Sequence, residues 1–266
     1  MGTETNVMAI VNITEDSFSD GGLFIDAKSA IKHASTCIKK GAKIIDLGAQ
    51  STRPGSSEVG AEIEIKRLIP VIKELKLIHP SITISIDTYH HSVAKEALNA
   101  GAHWINDISG GLHDPEIFNV VSDYHCKYVL NHCRGNSMTM DSLANYKDVV
   151  FDVKTELSNQ IELAISSGIN HDQIIIDPGL GFAKNVNHNL ILLRNIEQFT
   201  SMKYQVLVGA SRKRFIGSVI DEPDPNNRIF GTAAVASRCV IAGVNFLRVH
   251  DVKEICQVIK MTKSII

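Results

Sequence analysis

A chain of 266 residues, 44% apolar and 21% charged, can bury a large core and suits one α/β barrel better than two ordinary domains. Its formal net charge of −2 gives no pull toward nucleic acid or an anionic membrane. No apolar run approaches a bilayer-spanning length, and no basic segment leads into a hydrophobic one at the N-terminus as a secretion signal would.

In chain order, short apolar runs alternate with helical patterns. The first run, Val7 to Ile13, carries Asn12 and passes into the polar stretch TEDSFSDGG; a helix follows over Ala27 to Lys40, stopped by Gly41. Ile44 to Leu47 is the second strand, with a small-residue loop to about Gly60. Glu62 to Leu77 has helical apolar spacing, with Pro70 predicting a kink or break. Ile82 to Ile86 reads as strand three, ending in Asp87, and Ala94 to Ala100 as a helix. Trp104 to Ile108 is strand four, and Asp114 to Ser122 a short helix with Pro115 at its first position.

Tyr128 to Asn131 is the fifth strand, and a long polar loop runs from His132 to about Val149. A helix spans Phe151 to Ser167, strand six Gln173 to Ile176, and another helix runs from Asn187 or His188 to Phe199. Gln205 to Val208 is strand seven, Arg228 to Ala242 a helix, Asn245 to Val249 strand eight, and a last helix runs from about Asp251 to Lys263. Repeated strand-then-helix units imply a parallel sheet, and eight of them imply a closed (β/α)8 TIM barrel occupying residues 1–266 as one domain. Little sequence precedes strand one to cover the barrel bottom, so either it tolerates exposure or a partner subunit covers it. The five cysteines, Cys37, Cys126, Cys133, Cys239 and Cys256, are odd in number and scattered, which reads as free thiols in the cytoplasm.

Functional residues concentrate where the strands end. Asn12, Asp46, Asp87, Asn106, Asp177, Arg248 and His250 all stand at or just after an apolar run. Any one of them suits a turn; seven on one rim suit a polar pocket, because polar groups inside a barrel are costly unless paired. Asp87, Asn106 and Asp177 fit the edge of a flat heterocycle presenting adjacent N–H groups. Arg53, Lys213, Arg248 and His250 read as a phosphate site, with Arg248 and His250 on one face by the strand period. Ser211 to Arg214 alone would equally be a surface basic patch, and Phe18 either packs as a plug or closes over an aromatic substrate. His132-Cys133 has no second pair at metal-ligand spacing, and Gly179-Leu180-Gly181 with Lys184 is an incomplete phosphate loop.

Together these motifs resemble the dihydropteroate synthase family, the pterin-binding enzymes of folate synthesis. The matching blocks are VNITEDSFSDGG (11–22), IDLGAQSTRPGS (45–56), ISIDT (84–88), WINDIS (104–109), DPGLGFAK (177–184), VGASRKRFIG (208–217) and LRVHDVK (247–253). The resemblance implies a barrel, usually dimeric, that joins hydroxymethyl-dihydropterin diphosphate to 4-aminobenzoate with Mg2+ as cofactor. By the same implication Asp87, Asn106, Asp177 and Lys213 hold the pterin, Asn12 binds Mg2+ at the diphosphate, and Arg53, Arg248 and His250 grip its phosphates. Thr52, Pro54, Ser211 and Phe18 would frame the aminobenzoate, with Arg53, Lys213, Arg248 and His250 the catalytic groups. The chain departs from the family at Glu15, Ala49-Gln50, Asn131, Cys133-Arg134 and Ser137, which puts aminobenzoate affinity and sulfonamide response at issue rather than reaction type. Other readings are a methyltetrahydrofolate:corrinoid methyltransferase, a catalytically silent pterin-binding paralogue and a phosphosugar barrel. Fusion to neighbouring folate enzymes is left open.

Overall fold

The computed structural model describes residues 4–13, 22–50 and 59–266, with 22–26 described by backbone alone. Phe18, Thr52, Arg53 and Pro54, together with Glu15, lie outside the described residues. Eight parallel strands close in sequence order: β1 Asn6–Asn12, β2 Ile44–Gly48, β3 Thr83–Asp87, β4 Trp104–Asp107, β5 Lys127–Asn131, β6 Ile174–Asp177, β7 Gln205–Val208 and β8 Phe246–Val249. Helices α1 Gly22–Lys39, α2 Ala61–Ile78, α3 His91–Asn99, α4 Ile117–Tyr124 and α5 Val149–Ser166 connect the first six strands. After β6 come α6 Val186–Arg194 and α7 Glu197–Thr200; α8 Arg214–Val219 and α9 Ile229–Ile241 follow β7, and α10 Val252–Ile265 follows β8.

Each strand is covered by a helix on one face and packs against the barrel interior on the other, which is why the strands are nearly continuous apolar runs. The main core lies between barrel and helices, with Leu68, Val71, Ile72 and Leu75 of α2 buried against Ile45, Leu47, Ile84 and Ile86. A second cluster fills the barrel from within: Met8, Ile44, Val129, Ile175, Leu207 and Phe246, with Trp104 packed against it. Trp104 and Phe246 meet edge to face, ring centroids 5.0 Å apart. The floor is thus built by side chains of the strands themselves.

Three local expectations are corrected. Helix α2 runs through Pro70 unbroken, because that residue lies on the exposed face, where the carbonyl it leaves unpaired can meet water. The α4 helix starts at Ile117 rather than Asp114, whose carboxylate instead accepts from His91 N at 2.9 Å. The helix expected through Phe199 divides at Asn195-Ile196 into α6 and α7.

Candidate active site

Strand register decides which polar side chains meet. Gly48 pairs with Asn12 and Asp87, and Asp87 with Asn106, so these positions share one level near the C-terminal mouth. Asp46 lies one inward position deeper on β2, fully buried. Period-2 alternation places Asp177 above the floor residue Ile175, and Arg248 above Phe246.

Arg248 organises the interior. Its Nε donates to Asp46 Oδ2 at 2.6 Å and its Nη2 to Asp87 Oδ2 at 2.5 Å. Asn106 Nδ2 donates to the same Asp46 oxygen at 3.1 Å. Asp46 therefore fixes both the guanidinium and the amide, a role that 202 residues of separation from Arg248 hid from the sequence. Asp177 takes the Gly179 N–H on Oδ1 at 2.7 Å. A methyl group added to Gly209 at the β7 end would touch both Asp177 Oδ2 and the Arg248 Cβ at 3.8 Å, so the glycine keeps the space between them open. Asp87, Asn106, Asp177 and Arg248 all converge on this one interior.

Lys213 enters from the segment after β7. Its ammonium donates to the Leu180 carbonyl and lies 4.4 Å from the centroid of the Phe182 ring. Gly181 is needed here: its φ is +80°, and a Cβ on it would press within 2.9 Å of Lys213 Cδ. The basic run around Lys213 is split by one left-handed residue. Arg212, at φ +60°, turns outward to Asp251, at 3.0 and 2.6 Å, and to Asn226 at 2.8 Å. Arg214 pairs with Asp141 at 2.9 Å, largely in solvent. Of the basic residues in this run, Lys213 alone reaches into the site, with its ammonium on the Leu180 carbonyl, so the surface-patch and site readings each hold for part of it. Ser211 Oγ lies 3.0 Å from His250 Nδ1 and accepts from the His250 N–H at 3.2 Å.

Burial acts on Asp87, Asp177, Lys213 and Arg248. It pushes Asp87 up to about 7 against the pull of Arg248, and raises Asp177 against the pull of Lys213. Burial also lowers Lys213 to about 8, with Asp177 opposing. Burial disfavours the charge on Arg248 too, yet Asp46 and Asp87 outweigh it and hold the guanidinium firmly protonated. The result is a dry array of opposed charges able to grip a polar ring and an anion at once.

Asn12 ends β1 exposed at the mouth. A Cβ on Gly48 would stand 3.5 Å from Asn12 Oδ1 and 3.6 Å from Asp87 Oδ2. That small hollow is walled by hard oxygen atoms, the donor type that a divalent cation takes alongside water and phosphate. Among the described residues, no group of three or more His, Cys, Asp or Glu side chains could hold a metal.

The family model for pterin-binding enzymes matches residues 8–250. The chain is 44% identical over 264 residues to the dihydropteroate synthase of Synechocystis sp., covering 99% of this chain and 91% of that protein. Among solved structures, a dihydropteroate synthase from Clostridium difficile, crystallised with pteroic acid, superposes with a TM-score of 0.92 at 40% identity, covering 99% of this chain and 97% of the other. The Xanthomonas albilineans enzyme, solved with 4-aminobenzoic acid, gives a TM-score of 0.91 at 35% identity over 98% and 93% of the two chains.

Proposed function

Because this chain belongs to the pterin-binding enzyme family, we infer from the buried Asp46–Arg248–Asp87 array how it performs the family's condensation. It is a transferase joining (7,8-dihydropterin-6-yl)methyl diphosphate to 4-aminobenzoate, giving 7,8-dihydropteroate and diphosphate. That array is the single observation that carries the residue-level reading: two carboxylates, an amide and a guanidinium assembled inside a barrel mouth.

Asp87, Asn106 and Asp177 receive the N–H edges of the pterin, and Lys213 lies beside them to neutralise Asp177. As the bond from the methylene carbon to the diphosphate oxygen breaks, its electron pair leaves with the diphosphate and positive charge spreads from the methylene into the ring. Buried carboxylates next to that ring stabilise the charge far more than water would. Arg53 and His250 grip the departing anion, joined by Arg248, whose Nη1 keeps its donors for a phosphate oxygen while Nε and Nη2 stay on Asp46 and Asp87. Mg2+, held by Asn12 and the substrate phosphates, would add charge neutralisation at the leaving group. The arylamine, framed by Phe18, Thr52, Pro54 and Ser211, forms the new C–N bond and releases its proton to solvent. Positioning and charge carry the rate, with no covalent enzyme intermediate.

Exposed Phe230 and Ile241 on α9 and Val219 on α8 support pairing of two copies of the chain. No described helix is long and apolar enough to cross a membrane, and free Cys37, Cys126, Cys133, Cys239 and Cys256 support a reducing, cytoplasmic setting. Coupled pyrophosphate detection tests the reaction. Release is expected from the pterin diphosphate only when both 4-aminobenzoate and Mg2+ are added; a silent protein under those conditions overturns the assignment.

A further inference from the structure

Two sequence features stay unused by this chemistry: His132 after β5, and Lys184 at the end of the glycine-rich segment after β6. They meet inside the protein. Lys184 Nζ lies 2.9 Å from His132 Nδ1 and donates to the Phe182 carbonyl at 2.9 Å. On the far side of the ring, His132 Nε2 lies 2.9 Å from Glu156 Oε2 of α5. Arg134 closes the chain at the surface, with Nε on the same carboxylate at 3.0 Å and Nη2 on its other oxygen.

The proton positions follow from the partners. The Glu156 carboxylate only accepts, so Nε2 carries the hydrogen that it gives to Glu156, and Nδ1 accepts from Lys184 Nζ. Burial, with Lys184 beside it, pushes His132 down to about 4 and keeps the ring neutral. Burial opposes the charge on Glu156, but hydrogen bonds from His132 and Arg134 pull it down to about 2. Burial likewise lowers Lys184 to about 7, so from surface to interior the row reads cation, anion, neutral ring, and an amine that holds its proton only below about neutral pH.

Lys184 fastens the turn that seats Lys213. Within 178–184, Gly179 N–H holds Asp177, the Leu180 carbonyl takes Lys213, and the Phe182 ring underlies that same ammonium. The turn is pressed against the end of β5 so tightly that a Cβ on Gly179, at φ +67°, would collide with the His132 carbonyl. A buried lysine is a poor way merely to fill space: replacing buried charged groups by apolar ones of equal volume is often neutral or stabilising.

Resting on the reaction assigned above, we propose that Lys184 and His132 are positioning residues, tying the 178–184 turn to the end of β5 so that Asp177 and Lys213 meet the pterin in a fixed geometry. Neither touches substrate. The variants are Lys184→Met, His132→Asn and the pair combined, in the full-length chain. Calorimetric titration with the pterin diphosphate gives affinity and active fraction; steady-state rates give the aminobenzoate KM. Below pH 7, where Lys184 carries its charge, a charged hydrogen bond of the usual strength implies that Lys184→Met weakens pterin diphosphate binding about tenfold or more. The active fraction should stay at one and the aminobenzoate KM within about twofold, and the double variant should be no worse than the poorer single one. Wild-type pterin affinity in an active Lys184→Met protein overturns the proposal. Should that variant not fold, Glu156→Gln at the half-exposed end decides: a loss of about two- to threefold supports the relay, since one weakened contact is worth a few tenths of the charged bond, and no loss overturns it. A wild-type protein that makes no dihydropteroate defeats the reaction assignment instead, so the two failures are distinguishable.

Discussion

Replacing Arg248 with Met keeps much of its volume and removes its charge, and the result is calculable from its surroundings. The guanidinium is 17% exposed and sits on Asp46, 0% exposed, and Asp87, 8% exposed. Without it two carboxylates remain in the barrel, with the neutral amide of Asn106 donating to Asp46. Stranding the partner of a buried ion pair costs about 3–5 kcal/mol, a large share of the roughly 5–15 kcal/mol that holds a domain folded. The loss is pH-dependent in a fixed direction. Asp87 already has a folded pKa near 7, above its unfolded value of about 3.9, so the fold prefers it neutral. Its ionisation costs nothing below pH ~4 and progressively more as pH rises toward the folded value; removing Arg248 raises that value further and widens the window upward. Urea denaturation should therefore find Arg248→Met most destabilised at pH 8 and much less so at pH 5. Adding Asp46→Asn, which removes one stranded charge, should restore about 1–2 kcal/mol at pH 8. Calorimetry should show the diphosphate substrate losing more affinity than a pterin without phosphates. A deficit under about 1 kcal/mol, or one equal at both pH values, or equal binding losses for the two ligands, would refute the assigned role of the guanidinium.

Two further outcomes are expected. Gly48→Ala should leave the melting temperature nearly unchanged, because its Cβ would make only ordinary contacts of 3.5 and 3.6 Å, yet it should weaken pterin diphosphate and Mg2+ binding by filling the hollow between Asn12 and Asp87; wild-type binding would show that hollow to be idle. Pterin affinity should decline as pH rises through about 8, where Lys213 loses its proton, and Lys213→Arg should flatten that decline. The stability sign is opposite: with a folded pKa below the unfolded value of about 10.4, charged Lys213 burdens the fold below pH 8, and that burden lifts between 8 and 10.4. A decline unaltered by the arginine variant would assign the titration to another group.

The eight strands are legible because each is a short apolar run closed by a polar residue, and the pocket is legible because those closing residues share one rim. Partner choice is not. Whether Arg248 meets Asp46, Asp87 or a phosphate depends on the register of β8, β1, β2 and β3, which no local pattern encodes. His132 and Lys184, 52 residues apart, meet only because β5 and β6 are neighbours with matched ends. Arg212 and Lys213 point to different places because of one positive φ at a non-glycine residue, which sequence composition does not announce. The six-residue helix α8 is too short for its periodicity to stand out.

The aromatic floor made by Trp104 and Phe246 has a consequence for traffic. A well stoppered at its base offers one doorway, so both reactants must queue through it and both products must leave the same way. Whichever ligand seats deepest has to arrive first and depart after its neighbour. In the proposed site the acids and amide beneath the rim hold the pterin in the inner place, and the arylamine caps it.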